Sequence, residues 1–164
     1  MSLTRSQNET KTIVLSNDVQ EVPRLGIFVK EVCSDMGLEK GDSIGVNLAV
    51  EEAVVNVMLY AYPQGTRGDV TVTATASEES LIFEIRDQGR PFDPTKAKDA
   101  DVSLGLKERK IGGLGIYLMR HYMNEIRYER RNNENILMLI LRISEVKGGL
   151  KGSLRGVKGE LKGR

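Results

Sequence analysis

The amino-acid sequence predicts an α+β two-layer sandwich, in which helices cover one face of a mainly antiparallel, mixed sheet. Two segments in the first half of the chain carry apolar residues at helical spacing, and residues 70–77 alternate between apolar and polar side chains. Short turns join consecutive strand patterns, which favours antiparallel neighbours. The resulting order is β-α-α-β-β-loop-α-β-β, typical of helices segregated to one side of a sheet.

The first half of the chain is predicted to contain one short strand and two helices. The strand covers residues 12–15, and the first helix begins at Asp18, where Glu21 completes a capping-box pattern. Gly37 can supply the C-terminal cap of this helix. A second, unusually apolar helix is predicted to begin near Asp42. It is expected to end at about Tyr60, because Pro63 disfavours its continuation.

The second half is predicted to supply four strands and one helix. Residues 70–77 and 81–86 form a hairpin across a short Glu78-Glu79 turn. A helix over residues 114–123 and a strand over residues 126–130 follow. Residues 136–143 are continuously apolar, which suits a strand in the middle of the sheet.

Charge and composition divide the chain into a domain, residues 1–146, and a basic glycine-rich tail, residues 147–164. The tail has six basic residues and one acidic residue, which leaves 18 basic and 22 acidic residues before it. A mildly acidic domain is not typical of nucleic-acid binding. No apolar run is long enough for a membrane span, the N-terminus lacks the apolar stretch of a secretory signal, and Cys33 is the only cysteine. A cytoplasmic protein is therefore expected.

The repeated glycines of the tail predict a poorly ordered appendage, since glycine disfavours a helix. The alternative is a tether to an acidic partner or to anionic lipid.

The second helix carries the motif EEAVVN, in which Glu52 and Asn56 lie four residues apart on one face. A carboxylate and a carboxamide are costly to bury on an apolar helix unless they have partners. Asn56 can bind Mg²⁺ through its side-chain oxygen, and Glu52 can orient or deprotonate a nucleophile. The alternative is that both side chains face solvent. Glu51 points about 100° away around the helix and is expected to be solvated or paired.

A second motif, DQGRPFDP, follows the strand at residues 81–86 directly. Asp87 stands at the strand end, where its carboxylate can accept a hydrogen bond from an adenine amino group. Gly89 has no side chain to block a base that approaches the backbone. An Asp-x-Gly turn without a ligand is the ordinary alternative, and the following Pro-Phe-Asp-Pro makes the motif more specific.

A third motif, GGLG, opens the helix at residues 114–123, and its free backbone N–H groups can bind phosphate. It is neither a Walker A sequence nor a Rossmann fingerprint, and a flexible hinge is the alternative. The preceding segment, residues 95–110, is predicted to be a lid that is mobile without nucleotide. Its phosphate-binding cation is expected to be Arg109, with Lys110 second. The motif itself consists of Gly112, Gly113, Leu114 and Gly115.

In this order and spacing, the three motifs resemble the N, G1 and G2 boxes of the Bergerat-fold (GHKL) ATPases. EEAVVN…YAYP, DQGRPFDP and KIGGLGIYLM are most similar to the anti-sigma-factor serine/threonine kinases of bacterial partner-switching systems, and the resemblance covers about residues 11–143. It implies ATP and Mg²⁺ as cofactors, Glu52 as catalytic base and Asn56 as magnesium ligand. Asp87 would contact adenine, and the nucleotide-contacting glycines would be Gly89, Gly113 and Gly115.

The resemblance also implies the partners. A serine of a small STAS-type antagonist protein would accept the phosphate, a sigma factor would be inhibited, and the kinase would be a homodimer. The first helix also favours a dimer, because Ile27, Phe28 and Cys33 extend its apolar face beyond a single stripe. Cys33 is expected to be a small core or interface residue.

Two other functions stay open: a nucleotide-dependent binding switch without phosphotransfer, and an orphan histidine-kinase-type ATPase module. The second is disfavoured because no acceptor hairpin precedes the motifs and the only histidine, His121, is expected to be a surface residue.

The sequence departs from this family's pattern at two positions. Tyr60 stands where many relatives have histidine. The Gly-Thr that often precedes the family's last strand is replaced by the segment Asn-Glu-Asn-Ile, residues 133–136, so a threonine of the nucleotide pocket is missing.

Overall fold

The computed structural model of the protein describes residues 8–96 and 113–143, and these form five strands and three α-helices in the predicted order. Most of the predicted lid lies outside the described residues, and so does the tail. The undescribed internal segment, residues 97–112, includes Arg109, Lys110 and Gly112. The elements are β1 (Glu9–Ser16), α1 (Val22–Asp35), α2 (Lys40–Tyr60), β2 (Asp69–Ala76), β3 (Ser80–Asp87), α3 (Gly113–Tyr122), β4 (Glu125–Arg131) and β5 (Glu134–Arg142).

The strands form one sheet in the order β1-β2-β3-β5-β4, and each neighbouring pair is antiparallel. The prediction of an α+β sandwich is confirmed, but the sheet of the described residues contains no parallel pair and is not mixed. Hairpins join β2 to β3 and β4 to β5, and such connections reverse the chain direction. The apolar strand β5 lies between β3 and β4, as its sequence predicts.

The helices cover one face of this sheet, and α2 is the central helix. Its small residues allow close packing: the ring of Tyr122 on α3 lies directly against Gly45. By length and hydropathy α2 could cross a membrane, with a mean hydropathy of 1.2 over 18 residues. Its burial between α1, α3 and the sheet explains this composition, since core helices are apolar on most sides.

The N-terminus of α1 differs in detail from the predicted capping box. Asp18 caps a separate 3₁₀ turn by accepting a hydrogen bond from the Gln20 amide at 2.9 Å. Glu21 accepts instead from the Ser16 amide at 3.4 Å, and α1 begins at Val22. A proline in the first turn of α1 explains the separation, since it favours a fresh helix start.

The C-terminus of α1 is confirmed as predicted. Gly37 has a φ of +73°, and the following Leu38 amide donates to the Cys33 carbonyl at 3.0 Å, which closes the helix with a left-handed cap.

Cys33 is fully buried in the core, which agrees with the expectation of a small core or interface residue, but it does not extend the outer apolar face of α1. Ile27 does lie on that face and is 62% exposed.

Candidate functional site

The second motif lies at one end of the sheet, beside the C-terminal end of α2, and Gly115 of the third motif contacts the first motif on α2. β3 ends at Asp87, whose register partner on β5 is Asn135. Asn135 is in turn paired with Arg130 on β4. Because core-facing side chains recur at every second residue of a strand, these three residues point to the helical side of the sheet.

Asp87 is a buried carboxylate, 3% exposed, with unequal oxygens. Its Oδ1 accepts hydrogen bonds from the Gly89 amide and from Asn135 Nδ2, both at 2.9 Å. Its Oδ2 is buried and has no hydrogen-bond partner among the residues that the structure describes. Burial raises the pKa of Asp87, while the two hydrogen bonds and the charge of Arg130 act in the opposite direction. An unpaired buried acceptor is expensive, so Oδ2 marks the place of an absent donor.

The end of α2 fixes the loop that follows Asp87. The Tyr62 hydroxyl accepts from the Gln88 amide at 3.0 Å and donates to a carbonyl of β2 at 2.6 Å. The Arg90 amide donates to the Ala61 carbonyl at 2.7 Å. A Cβ at Gly89 would collide with that same carbonyl. Gly89 is thus required by close packing against α2, a reason that sequence inspection alone did not supply.

The other side of the loop is fixed by the β4–β5 hairpin. Arg130 donates to the Gly89 carbonyl at 2.8 Å. Asn135 donates to the Arg90 carbonyl at 2.8 Å and accepts from the Phe92 amide at 3.3 Å. Each of the peptide units between Asp87 and Phe92 is therefore held by at least one hydrogen bond before any ligand binds.

Asn135, Arg130 and Tyr62 are site residues that the sequence reasoning missed. Asn135 belongs to the segment that replaces the family's Gly-Thr. No sequence pattern indicates that the Asn135 amide reaches Asp87. Tyr60 packs its ring against Phe92 at a centroid distance of 5.5 Å, so the residue that replaces the family's histidine lies at the loop's edge.

The first and third motifs are also brought together. Asn56 is 3% exposed and Glu52 is half-buried, so neither side chain simply faces solvent. Gly115 of α3 lies against both: a Cβ there would come within 2.7 Å of Asn56 Nδ2 and 3.2 Å of Glu52 Oε2. The third motif therefore needs glycine to seat the start of α3 on the polar face of α2.

Glu51 does not follow the expectation of a solvated or paired side chain. It is half-buried between α1 and α2, where Oε1 lies 2.9 Å from the place of a Cβ on Gly26. Burial, and secondarily the charge of Glu52, raises the pKa of Glu51. The neighbouring α1 covers this side of α2, so Glu51 and Glu52 lie in different environments.

Gly113 and Leu114 form the first residues of α3, the end of a helix that offers free N–H groups. Among residues 8–96 and 113–143, no group of three or more His, Cys, Asp and Glu side chains could hold a metal ion. A metal here would need ligands from the substrate, and the buried Asn56, whose side chain lies against Gly115 in the first turn of α3, could add its carboxamide oxygen.

A buried acceptor, a preorganised loop, a helix N-terminus and a carboxylate–amide pair have the chemistry to bind a nucleotide. The comparison with known families agrees: residues 15–141 match the histidine kinase-like ATPase domain, and the chain belongs to this family. The predicted superfamily is confirmed.

The relatives identify the kind of ATPase. The serine/threonine-protein kinase BtrW of Bordetella bronchiseptica is 31% identical over 94 residues, which are 57% of this chain and 66% of that protein. The serine-protein kinase RsbW of Bacillus subtilis is 30% identical over 111 residues, 65% of this chain and 69% of that protein. The chain thus matches about two thirds of these relatives' length, and their names confirm the prediction of a serine/threonine kinase relative.

A solved structure supports the fold. The RsbU and RsbW domains of a Mycobacterium tuberculosis protein superpose with a TM-score of 0.59 at 15% identity, over 82% of this chain and 32% of that one.

Proposed function

We propose that this protein is an anti-sigma factor and an ATP-dependent protein serine kinase that phosphorylates an anti-sigma-factor antagonist in a bacterial partner-switching system. The observation that carries the proposal is the unpartnered, buried Oδ2 of Asp87 at the start of the loop that α2 and the β4–β5 hairpin hold in place. The names of the relatives support the serine kinase class.

Asp87 would recognise adenine. Its Oδ2 faces no protein donor, and the exocyclic amino group of adenine is a donor of the right kind. Since Oδ1 already carries two hydrogen bonds, the carboxylate is held in one orientation. The base would pack beside Gly89, whose missing side chain keeps α2 and the loop in contact.

The phosphates would lie between α2 and the first turn of α3. The backbone N–H groups of Gly113, Leu114 and Gly115 are the free donors of a helix N-terminus, which favour phosphate. Asn56 would bind Mg²⁺, which neutralises phosphate charge during transfer. Arg109 and Lys110, outside the described residues, are proposed as lid cations.

Glu52 would act as the base that accepts the proton of the incoming serine hydroxyl. It lies one helical turn from Asn56, and both contact the Gly115 position. Its placement allows a hydroxyl to be oriented beside the phosphate site, and phosphoryl transfer depends mainly on such positioning.

The proposed partners are a sigma factor and a STAS-type antagonist with an acceptor serine, in the cytoplasm. We also propose a homodimer, because α1 exposes Ile27 and α2 exposes Ile44 and Leu48.

The direct test is transfer of radiolabelled phosphate from ATP to the cognate STAS-type antagonist protein. Glu52→Gln is expected to keep ATP binding and to lower phosphotransfer by about 10²–10⁴-fold, the usual contribution of a general base. Glu51→Gln is the matched control and should transfer phosphate normally. A wild-type protein that binds ATP and partners without labelling the antagonist would favour the binding switch instead.

A further inference from the structure

Asn135 uses its whole hydrogen-bonding capacity inside the protein. Nδ2 donates to Asp87 Oδ1 at 2.9 Å and to the Arg90 carbonyl at 2.8 Å. Oδ1 accepts from the Tyr128 hydroxyl at 2.5 Å and from the Phe92 amide at 3.3 Å. A carboxamide has two donor hydrogens and two acceptor lone pairs, so no group is left over.

These contacts also fix the direction of the amide. A rotation by 180° would break the hydrogen bonds to Asp87 Oδ1, to the Arg90 carbonyl and from the Phe92 amide, and only the Tyr128 hydroxyl could exchange its donor role for an acceptor role. With a side chain that is only 3% exposed, water offers little replacement. Asn135 therefore always presents a donor, and never an acceptor, to Asp87.

The consequence for Asp87 is an unequal pair of oxygens. Oδ1 is occupied by Asn135 and by the Gly89 amide, while Oδ2 is buried and unpartnered. Without Asn135, Oδ1 would keep the Gly89 hydrogen bond alone, and the plane of the carboxylate could rotate so that no lone pair is aimed at the ligand.

We propose that Asn135 is a positioning residue that determines purine specificity: it occupies one oxygen of Asp87 and so reserves the other for a purine 6-amino group. The proposal rests on the proposed nucleotide site. In this proposal Asn135 takes the role of the family's missing threonine. A threonine hydroxyl has a single donor hydrogen, whereas the Asn135 amide contacts both Asp87 and the Arg90–Phe92 backbone.

A purely structural role is the competing explanation, because Asn135 also ties the loop to β5. The two roles differ in what they do to a pair of ligands. Loss of loop structure would weaken every nucleotide alike, whereas loss of positioning would weaken only the nucleotide that carries the 6-amino group.

The test compares the affinities for ATP and for inosine triphosphate, which has a 6-oxo group instead. We expect the wild-type preference for ATP to fall by about 10-fold to 100-fold in Asn135→Ala, the size of a hydrogen bond to a charged group. Asn135→Thr restores one donor and should recover most of the preference. Asn132→Asp is the matched control, because Asn132 is exposed in the same hairpin, with a φ of 54° that aspartate tolerates.

A second readout needs no nucleotide. Carbon-13 NMR of the Asp87 carboxyl should show a higher pKa in Asn135→Ala than in wild type, because the Asn135 hydrogen bond lowers it. Among the other groups that act on Asp87, Arg130 lowers its pKa and Glu134 raises it, and both remain in the variant. Tyr62 and Tyr128 also lie nearby and have raised pKa values.

The outcomes separate this inference from the proposed function. A wild-type preference for ATP that survives unchanged in Asn135→Ala would overturn the role of Asn135 and leave the nucleotide site standing. Equal weakening of both nucleotides, or an unchanged Asp87 pKa, would show a structural role only. No wild-type preference at all would remove the adenine contact of Asp87 itself.

Discussion

The Asp87→Asn variant tests the buried carboxylate most directly, because it separates folding from nucleotide binding. The asparagine oxygen can still accept from the Gly89 amide and from Asn135, as Asp87 Oδ1 does. The variant removes a buried charge but places an amide nitrogen where Oδ2 was unpartnered. These effects oppose each other, and an unsatisfied polar group costs about 1–3 kcal/mol. We therefore expect the free energy of unfolding of the nucleotide-free variant to lie within about 1 kcal/mol of the wild-type value.

The loss on the nucleotide side should be larger. A hydrogen bond to a charged acceptor contributes about 1.5–3 kcal/mol. In the variant, the amide nitrogen of the asparagine would face the adenine amino group, and two donors cannot form a hydrogen bond with each other. The dissociation constant for ATP should then rise by about 10²-fold. Isothermal titration measures this change, and urea unfolding without nucleotide measures stability. Asp69→Asn is the matched control, since Asp69 is exposed at the start of the neighbouring strand β2.

The pH dependence of stability gives a further check. Burial raises the pKa of Asp87 above its unfolded value, which is about 3.9. The folded state therefore binds this proton more tightly, and wild-type stability relative to Asp87→Asn should fall as pH rises through the interval between the unfolded and folded pKa values. Above the folded pKa the difference should be constant. A wild-type advantage that grows with pH, or a variant that loses about 3 kcal/mol or more of stability without nucleotide, would refute the reasoning.

Three further predictions concern the helical layer. Gly115→Ala should push a Cβ against Asn56 and Glu52 and lower the rate of phosphotransfer at least about 10-fold. In a Glu52→Gln background the same substitution should lower the rate little further, since both changes act on one group. Cys33 should react with alkylating reagents at pH 8 only on unfolding, because burial raises its pKa to about 11 despite a hydrogen bond with Ser43; reaction of the folded protein at the rate of a free thiol would contradict this. Sedimentation should show a dimer that Ile27→Glu weakens, and a wild-type monomer at micromolar concentration would remove the dimer proposal.

The order and type of the elements were determined by the sequence, because helices and strands follow from local periodicity. The alternation of residues 70–77 is the two-faced strand β2, and Gly37 ends α1 in the left-handed conformation that its sequence position suggests. The spacing of EEAVVN, DQGRPFDP and GGLG likewise predicted a common site, and Gly115 does lie on Glu52 and Asn56. Each of these inferences uses residues that are close together in the chain or motifs with a recurrent order.

Only the tertiary structure decided which atoms of the site are satisfied. Asp87 and Asn135 are 48 residues apart, and strand register alone brings them to 2.9 Å. Separation along the chain also hid the reason for Gly89, which is the carbonyl of Ala61, and the packing of Glu51 against α1. Local sequence patterns determine the direction in which a side chain can point, but its partners depend on how strands and helices from distant parts of the chain pack together. The unpartnered oxygen of Asp87 could therefore be recognised only in the folded molecule.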